Sequence, residues 1–172
     1  MSIEQGGGKM SMLVYHGGTE VVKTPLCDFG RARLDFGKGF YVTDIKAQAA
    51  QWAALTAQKR NATAMINVYV LDREAIMAEA NSKVFDSYNS EWLEFIVASR
   101  RGLKPWEGYD YIEGGIADDR VIDTVNLYMA GLLPSDIALG RLMMHKPNNQ
   151  ICLSSQLLTD KYLRYERTEV VE

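Results

Sequence analysis

The chain has 172 residues, 47% hydrophobic and 24% charged, the balance of a folded protein with one good core and too little length for two. A formal net charge of −3 supplies no positive field, which argues against tight sequence-independent binding to nucleic acid and against a polybasic membrane anchor. Two cysteines, Cys27 and Cys152, lie far apart without a second pair, so neither a disulfide framework nor a CxxC metal site is indicated.

Residues 1–11 are polar and glycine-rich and lack the apolar run of a signal sequence; they are expected to be a mobile leader to a single domain over 12–172. The longest apolar run, 64–71, is far too short to span a bilayer, and a cytoplasmic location fits. Met12-Leu13-Val14-Tyr15 predicts a buried first strand ending at His16-Gly17-Gly18, which sets His16 at the strand's carboxyl end. Over 19–34 no period is sustained. Pro25, Gly30, Arg31 and Arg33 mark a long surface loop there, and its arginines are either solvated charges or partners for phosphate.

The stretch 35–43, Asp-Phe-Gly-Lys-Gly-Phe-Tyr-Val-Thr, is the one the remaining chain is organised around. Gly37 and Gly39 flank a lysine, so the backbone can take positive φ and approach a ligand closely. Phe40 to Thr43 then reads as a half-buried strand, in which alternation sends Phe40 into a core and Tyr41 towards a cleft. Asp44 is expected to cap a helix over 45–57, with Ala47, Ala50, Ala54 and Leu55 on its inner stripe. Trp52 on that helix either fills the core or forms the far wall of the cleft.

Residues 64–71 give the clearest strand pattern, followed by a short helix over 72–80. Ser90 is expected to cap a helix to 101, with Trp92, Leu93, Phe95, Ile96 and Val97 on its apolar side. A strand over 109–112 and a Gly114-Gly115 turn lead to Asp118-Asp119, which resemble paired catalytic carboxylates. Acids at a helix start are ordinarily satisfied by free N–H groups and the helix dipole, and that is the reading preferred here. Its apolar stripe is Val121, Val125, Tyr128 and Met129. A further helix runs from Pro134 to about 144, a loop over 145–149 delivers the strand Gln150-Ile151-Cys152-Leu153, and a helix over 154–161 precedes a last strand over 162–171. No GxGxxG, Walker loop, HExxH or GxSxG motif occurs.

Four separated pieces now line up: His16-Gly17 after the first strand, Gly39-Phe40-Tyr41 opening the second, the helix reaching Trp52, and Gln150 opening a late strand. Together they resemble the ADP-ribosyltransferases of the diphtheria-toxin and poly-ADP-ribose-polymerase type. Within that superfamily the chain is most similar to a bacterial domain-of-unknown-function family marked by YHG, DFGKGFY and a late QIC strand. The resemblance spans nearly the whole chain in order, although each motif alone is short. It implies an α+β fold with a split antiparallel sheet and surrounding helices, NAD as a substrate held between the two halves, and no metal.

On this resemblance His16 meets the adenosine ribose, the Gly17 backbone holds the nicotinamide carboxamide, and Tyr41 stacks on the nicotinamide. Trp52, eleven residues on, closes the sandwich as a cleft wall. The catalytic set is then His16, Tyr41 and Gln150, with His16, Gly17, Tyr41, Trp52, Arg31 and Arg33 binding the cofactor. Cleaving the nicotinamide–ribose bond passes through an oxocarbenium-like state, so the leaving ring must be held rigidly while positive charge at the sugar is stabilised. The family normally uses a glutamate on the ribose 2′-hydroxyl where this chain has Gln150, whose amide oxygen accepts the bond but brings no charge. A second departure is Ala49, where a small hydroxyl residue is usual. The expected function is mono-ADP-ribosyl transfer to a protein or nucleic-acid acceptor, as a small bacterial toxin or modifier with a cognate regulator or antitoxin, away from membranes. The alternatives are a catalytically silent module that binds NAD or ADP-ribose, and an interaction domain with an empty cleft.

Overall fold

Three cores, each set by the alternation of a strand or the stripe of a helix, organise the chain into stacked layers. The computed structural model describes residues 11–28 and 35–172. Arg31 and Arg33 lie outside the described residues. Among those described are six helices and two sheets: the three-stranded β1-β3-β7 and the four-stranded β2-β6-β5-β4.

In the first sheet, β1 (Ser11–Gly18), β3 (Met65–Asp72) and β7 (Leu163–Val170) are all antiparallel. The second holds β2 (Phe40–Val42), β6 (Gln150–Leu153), β5 (Tyr111–Gly114) and β4 (Ser82–Val84). Its β4–β5 pair is parallel, so the expectation of purely antiparallel strands is corrected: one sheet is antiparallel and the other mixed. The short β4, with a lysine at its centre and only three residues, gave no strand pattern to read. β5 runs later than expected, taking Gly114 into the strand opposite Gln150 instead of into a turn.

One face of the second sheet, through Ile112 and Cys152, packs on α3 (Ser90–Arg100), α4 (Ile122–Met129) and α5 (Ser135–Leu142) with Trp92, Ile96, Val125 and Leu142. Its other face, through Phe40, Val42, Tyr111, Ile151 and Leu153, meets Val14, Tyr69 and Leu71 of the first sheet. Ile76 of α2 (Arg73–Glu79) and Leu158 of α6 (Gln156–Tyr162) join that cluster. The far face of the first sheet is covered by α1 (Lys46–Arg60), where Ala49 packs on Ile66 and Val68. No helix among the described residues is long and apolar enough to cross a membrane.

Helix starts depart from expectation in detail. Asp44 does not cap α1: the cap position is Ile45 with no side-chain bond, and the Asp44 carboxylate accepts from Asn149 at 3.0 Å. Asn89, not Ser90, caps α3 by accepting from the Trp92 N–H at 2.9 Å. The Asp118 carboxylate does not cap α4 itself, whose cap position is Val121, but it accepts the free backbone N–H of Arg120 at 3.0 Å, as acids ahead of a helix are expected to do, together with the Arg120 guanidinium and, at 2.6 Å, the Asn148 amide. The inner stripe of α1 is Ala49, Ala53 and Ala57 with Gln48, leaving Ala47, Ala54 and Leu55 exposed. Alanines populate both sides of this helix, so its own pattern is degenerate and a neighbour decides. That neighbour is Gly17: a Cβ there would stand 2.0 Å from the Ala49 carbonyl oxygen and 2.9 Å from the Ala53 nitrogen. Strand and helix touch backbone to backbone, which no other residue at position 17 permits.

Candidate active site at the split between the sheets

Among the described residues a single isolated bridge joins the two sheets, Tyr15 with Thr43, whose two backbone bonds measure 2.8 and 2.9 Å. Continuing that antiparallel ladder would pair Gly17 with Tyr41. It does not continue. The Tyr41 carbonyl that would accept from Gly17 accepts instead from the His16 ring, at 2.8 Å from Nδ1. The imidazole, stacked on Phe40 at 4.5 Å between ring centroids, acts as a wedge that parts the strands. Because Tyr15 bonds outwards to β2, Gly17 two residues on also turns its N–H and C=O away from β3. Among the described residues that peptide donor and acceptor find no main-chain partner on the β2 side.

The opening is a cleft of about 1360 Å³, and His16, Gly17, Tyr41, Trp52 and Gln150 all line it. That volume exceeds the few hundred Å³ needed to enclose a small ligand and leaves room for one the size of a dinucleotide. Tyr41 lies opposite Cys152 in the β2–β6 pair, so Gln150, two residues before Cys152, is its diagonal neighbour on the same sheet face. Trp52 reaches the cleft from another element, α1, and makes no aromatic pair with Tyr41 among the described residues. The alternation of Phe40 and Tyr41 is as the sequence predicts: Phe40 is buried, and Tyr41 is half-buried at the cleft.

Two glycine roles come out differently. Gly37 takes positive φ (82°), and its open side is filled by the Trp106 ring, while its carbonyl accepts from the Tyr41 hydroxyl and so holds that ring in place. Gly39 does not take positive φ. It lines the cleft, but the space beside it belongs to the Cys152 sulfur and the Leu153 backbone.

The titratable groups are set by burial. Burial lowers the His16 pKa below its ordinary value, against a smaller opposing effect of the Tyr41 carbonyl. The ring is therefore neutral near pH 7, and since a carbonyl can only accept, Nδ1 carries the proton and Nε2 remains an acceptor. Burial pushes the Tyr41 hydroxyl far above its ordinary range, so it stays a neutral donor. It also pushes the Cys152 thiol up to about 12, which removes it as a nucleophile; Cys27 and Cys152 are both buried free thiols.

Gln150 is only 6% exposed, yet among the described residues its amide makes no hydrogen bond. The residue lines the cleft, and no fully enclosed side-chain nitrogen or oxygen among the described residues lacks a partner, which fits an amide turned to the open space. The residue before it is the opposite case. The Asn149 carbonyl accepts from Thr43 Oγ1 at 2.8 Å and Gln48 Nε2 at 2.6 Å, and its amide donates to Asp44 and, at 3.1 Å, to Glu113. The other Glu113 oxygen takes both Arg73 N–H groups, at 2.9 and 2.7 Å, and the Tyr111 hydroxyl at 2.7 Å.

Several cleft residues were not anticipated from sequence. Thr56, Lys59 and Arg60 follow Trp52 on α1, and spacings of four and seven from Trp52 could have put Thr56 and Lys59 on its face. Lys23 and Thr24 come from the loop after β1, and Arg100 and Asp35 enter as an ion pair at 3.0 Å. Ala49 does not line the cleft; it is sealed under Gly17, so a hydroxyl at that position would meet the strand–helix seam. Asp118 and Asp119 do not line it either. No group of three or more His, Cys, Asp or Glu side chains placed to hold a metal ion occurs among the described residues.

One family model matches residues 12–165, that of a protein of unknown function, DUF3990. The chain belongs to this family. No curated protein and no solved structure matches it. The matched span contains every residue placed at the cleft above, from His16 to Gln150.

Proposed function

We propose that this cleft binds NAD and that the protein is a mono-ADP-ribosyltransferase, cleaving the nicotinamide–ribose bond and passing ADP-ribose to a macromolecular acceptor. The observation that carries the proposal is that the N–H and C=O of Gly17, without a main-chain partner on the β2 side among the described residues, are opened by the His16 wedge in a cleft that Tyr41 and Trp52 both line. A primary carboxamide offers one acceptor and two donors, so it can answer both the N–H and the C=O of Gly17, which an extended strand turns to the same side, while its flat ring lies against Tyr41. Trp52 lines the same cleft from α1. The free Nε2 of neutral His16 accepts from a ribose hydroxyl, and the Gln150 amide oxygen accepts from another near the sugar carbon that becomes cationic. Lys23, Lys59 and Arg60 give the same cleft the positive charge that a pyrophosphate needs.

Bond cleavage then proceeds by holding and not by a strong base. The nicotinamide leaves as a neutral ring, and two aromatic faces with a doubly bonded carboxamide restrain it while the ribose moves towards the acceptor. The Gln150 amide dipole stabilises the oxocarbenium less than a carboxylate would, which predicts slow turnover and disfavours poly-ADP-ribose synthesis. The same neutral amide favours a second reading, a module that binds NAD or ADP-ribose without cleaving it. Incubation with adenine-labelled NAD and a cell lysate separates the two. Label on macromolecules with release of free nicotinamide is expected of the transferase, and intact NAD recovered bound to the protein is expected of the module.

A further inference from the structure

We infer that Thr43 and Gln48 are positioning residues for Gln150, acting through the Asn149 carbonyl. Gln150 is the first residue of β6, so the ladder holds it from one side only. What precedes it is loop. The Asn149 C=O and the Gln150 N–H belong to one rigid peptide plane. Thr43 Oγ1 and Gln48 Nε2 both donate to that C=O, at 2.8 and 2.6 Å, which fixes the plane and with it the direction of the Gln150 Cα–Cβ bond. Neither donor is idle surface: Thr43 is fully buried and Gln48 is 8% exposed.

Both donors come from the segment that carries the aromatic walls. Thr43 follows Tyr41 by two residues, and Gln48 precedes Trp52 by one helical turn. The clamp therefore sets the reach between Gln150 and the two rings, across more than a hundred residues of chain. Asn149 anchors the same plane from behind by donating to Asp44 and Glu113. Gln150 itself is left without a hydrogen bond among the described residues, so nothing in its own side chain compensates if the plane turns. The assignment of what Gln150 addresses rests on the NAD reading; the positioning does not.

The test uses the whole chain labelled with nitrogen-15. The Gln150 side-chain amide pair is identified by its disappearance in Gln150→Ala. In Gln48→Met, which keeps volume and removes the donor, the pair is expected to change from one narrow set to a broadened or doubled one, with the thermal midpoint lowered by only a few degrees and the backbone spectrum otherwise retained. Thr43→Val is expected to do the same and serves if Gln48→Met fails to fold. A single narrow pair at wild-type positions in either folded variant overturns the inference, and loss of folding in both reduces the clamp to a structural contact and overturns it too. NAD added to the wild type is expected to move the Gln150 pair. If NAD moves nothing, the dinucleotide reading fails while the ligand-free comparison still decides the clamp.

Discussion

Behind Gln150 the polar groups of Asn149 and Glu113 are paired with one another and their neighbours, and ahead of it, among the described residues, three sets of groups stand open. On the rear side Asn149 makes four hydrogen bonds and Glu113 accepts from Asn149, Arg73 and Tyr111. On the cleft side the Gln150 amide, His16 Nε2 and the outward edge of Gly17 have no protein partner among the described residues. Burial is similar on the two sides, since Glu113 is 8% exposed and Gln150 6%. The difference is therefore not depth but satisfaction. Buried polar groups that satisfy one another specify a fold, whereas those left open at a cavity are satisfied by something the cavity takes in.

The contrast can be broken by substitution. Gly17 stands on the boundary, with one side sealed against Ala49 and its peptide edge in the cleft. Gly17→Ala must push backbone from backbone and is expected to cost on the order of 4 kcal/mol or more, enough to leave little folded protein, as denaturant unfolding would read. Glu113→Ala strips an acceptor from Arg73, Tyr111 and Asn149 at once, and an expected loss of about 2–3 kcal/mol of stability would appear in the same measurement. Trp52→Ala belongs to the other side: NAD affinity by calorimetry should fall by about 1–3 kcal/mol, by analogy with base–aromatic stacking. Stability should stay within about 1 kcal/mol of wild type.

The smallest effect is a pH dependence. The folded-state pKa of His16 lies below its ordinary 6.5, so the unfolded chain binds the proton first as pH falls. The His16 contribution to stability is thus fully present above pH 6.5 and is lost progressively below it, down to the depressed folded value. His16→Gln, which titrates nowhere in that range, should flatten this part of the stability profile. Protonating Nε2 also replaces an acceptor by a donor, so NAD affinity should weaken over the same acidic window.

The front of this contrast was legible in the sequence and the rear was not. Period-two alternation placed Phe40 and Tyr41 on opposite faces, because such a pattern depends only on neighbours along the chain, whereas Gln150 came to the same cleft through the resemblance and not through any local pattern. The clamp joins Thr43 and Gln48 to Asn149 across more than a hundred residues, and an asparagine in a loop reads locally as turn chemistry. Asp44 reads as a helix cap for the same reason, yet its carboxylate is claimed by Asn149, a partner no local pattern announces. The α1 stripe failed where alanines were too evenly spread to point anywhere and Gly17 decided the matter by close approach. Nor does the His16 wedge announce itself in sequence, since a histidine after a strand does not reveal which carbonyl its ring will take.

The central claim, that the open groups ahead of Gln150 serve bond cleavage and not only binding, is tested most directly by Gln150→Ala. NAD affinity from calorimetry is measured alongside nicotinamide release and label transfer with lysate present. An interaction made mainly in the transition state lowers turnover while leaving ground-state binding nearly intact. The expected result is NAD affinity close to wild type with release and transfer lowered about 10²-fold or more, comparable with losing one transition-state hydrogen bond, and with Gln150→Glu equal to or faster than wild type. Wild-type protein and Gln150→Glu that both bind NAD, yet neither release nicotinamide nor transfer label, would contradict the claim and leave the cleft a binding site alone.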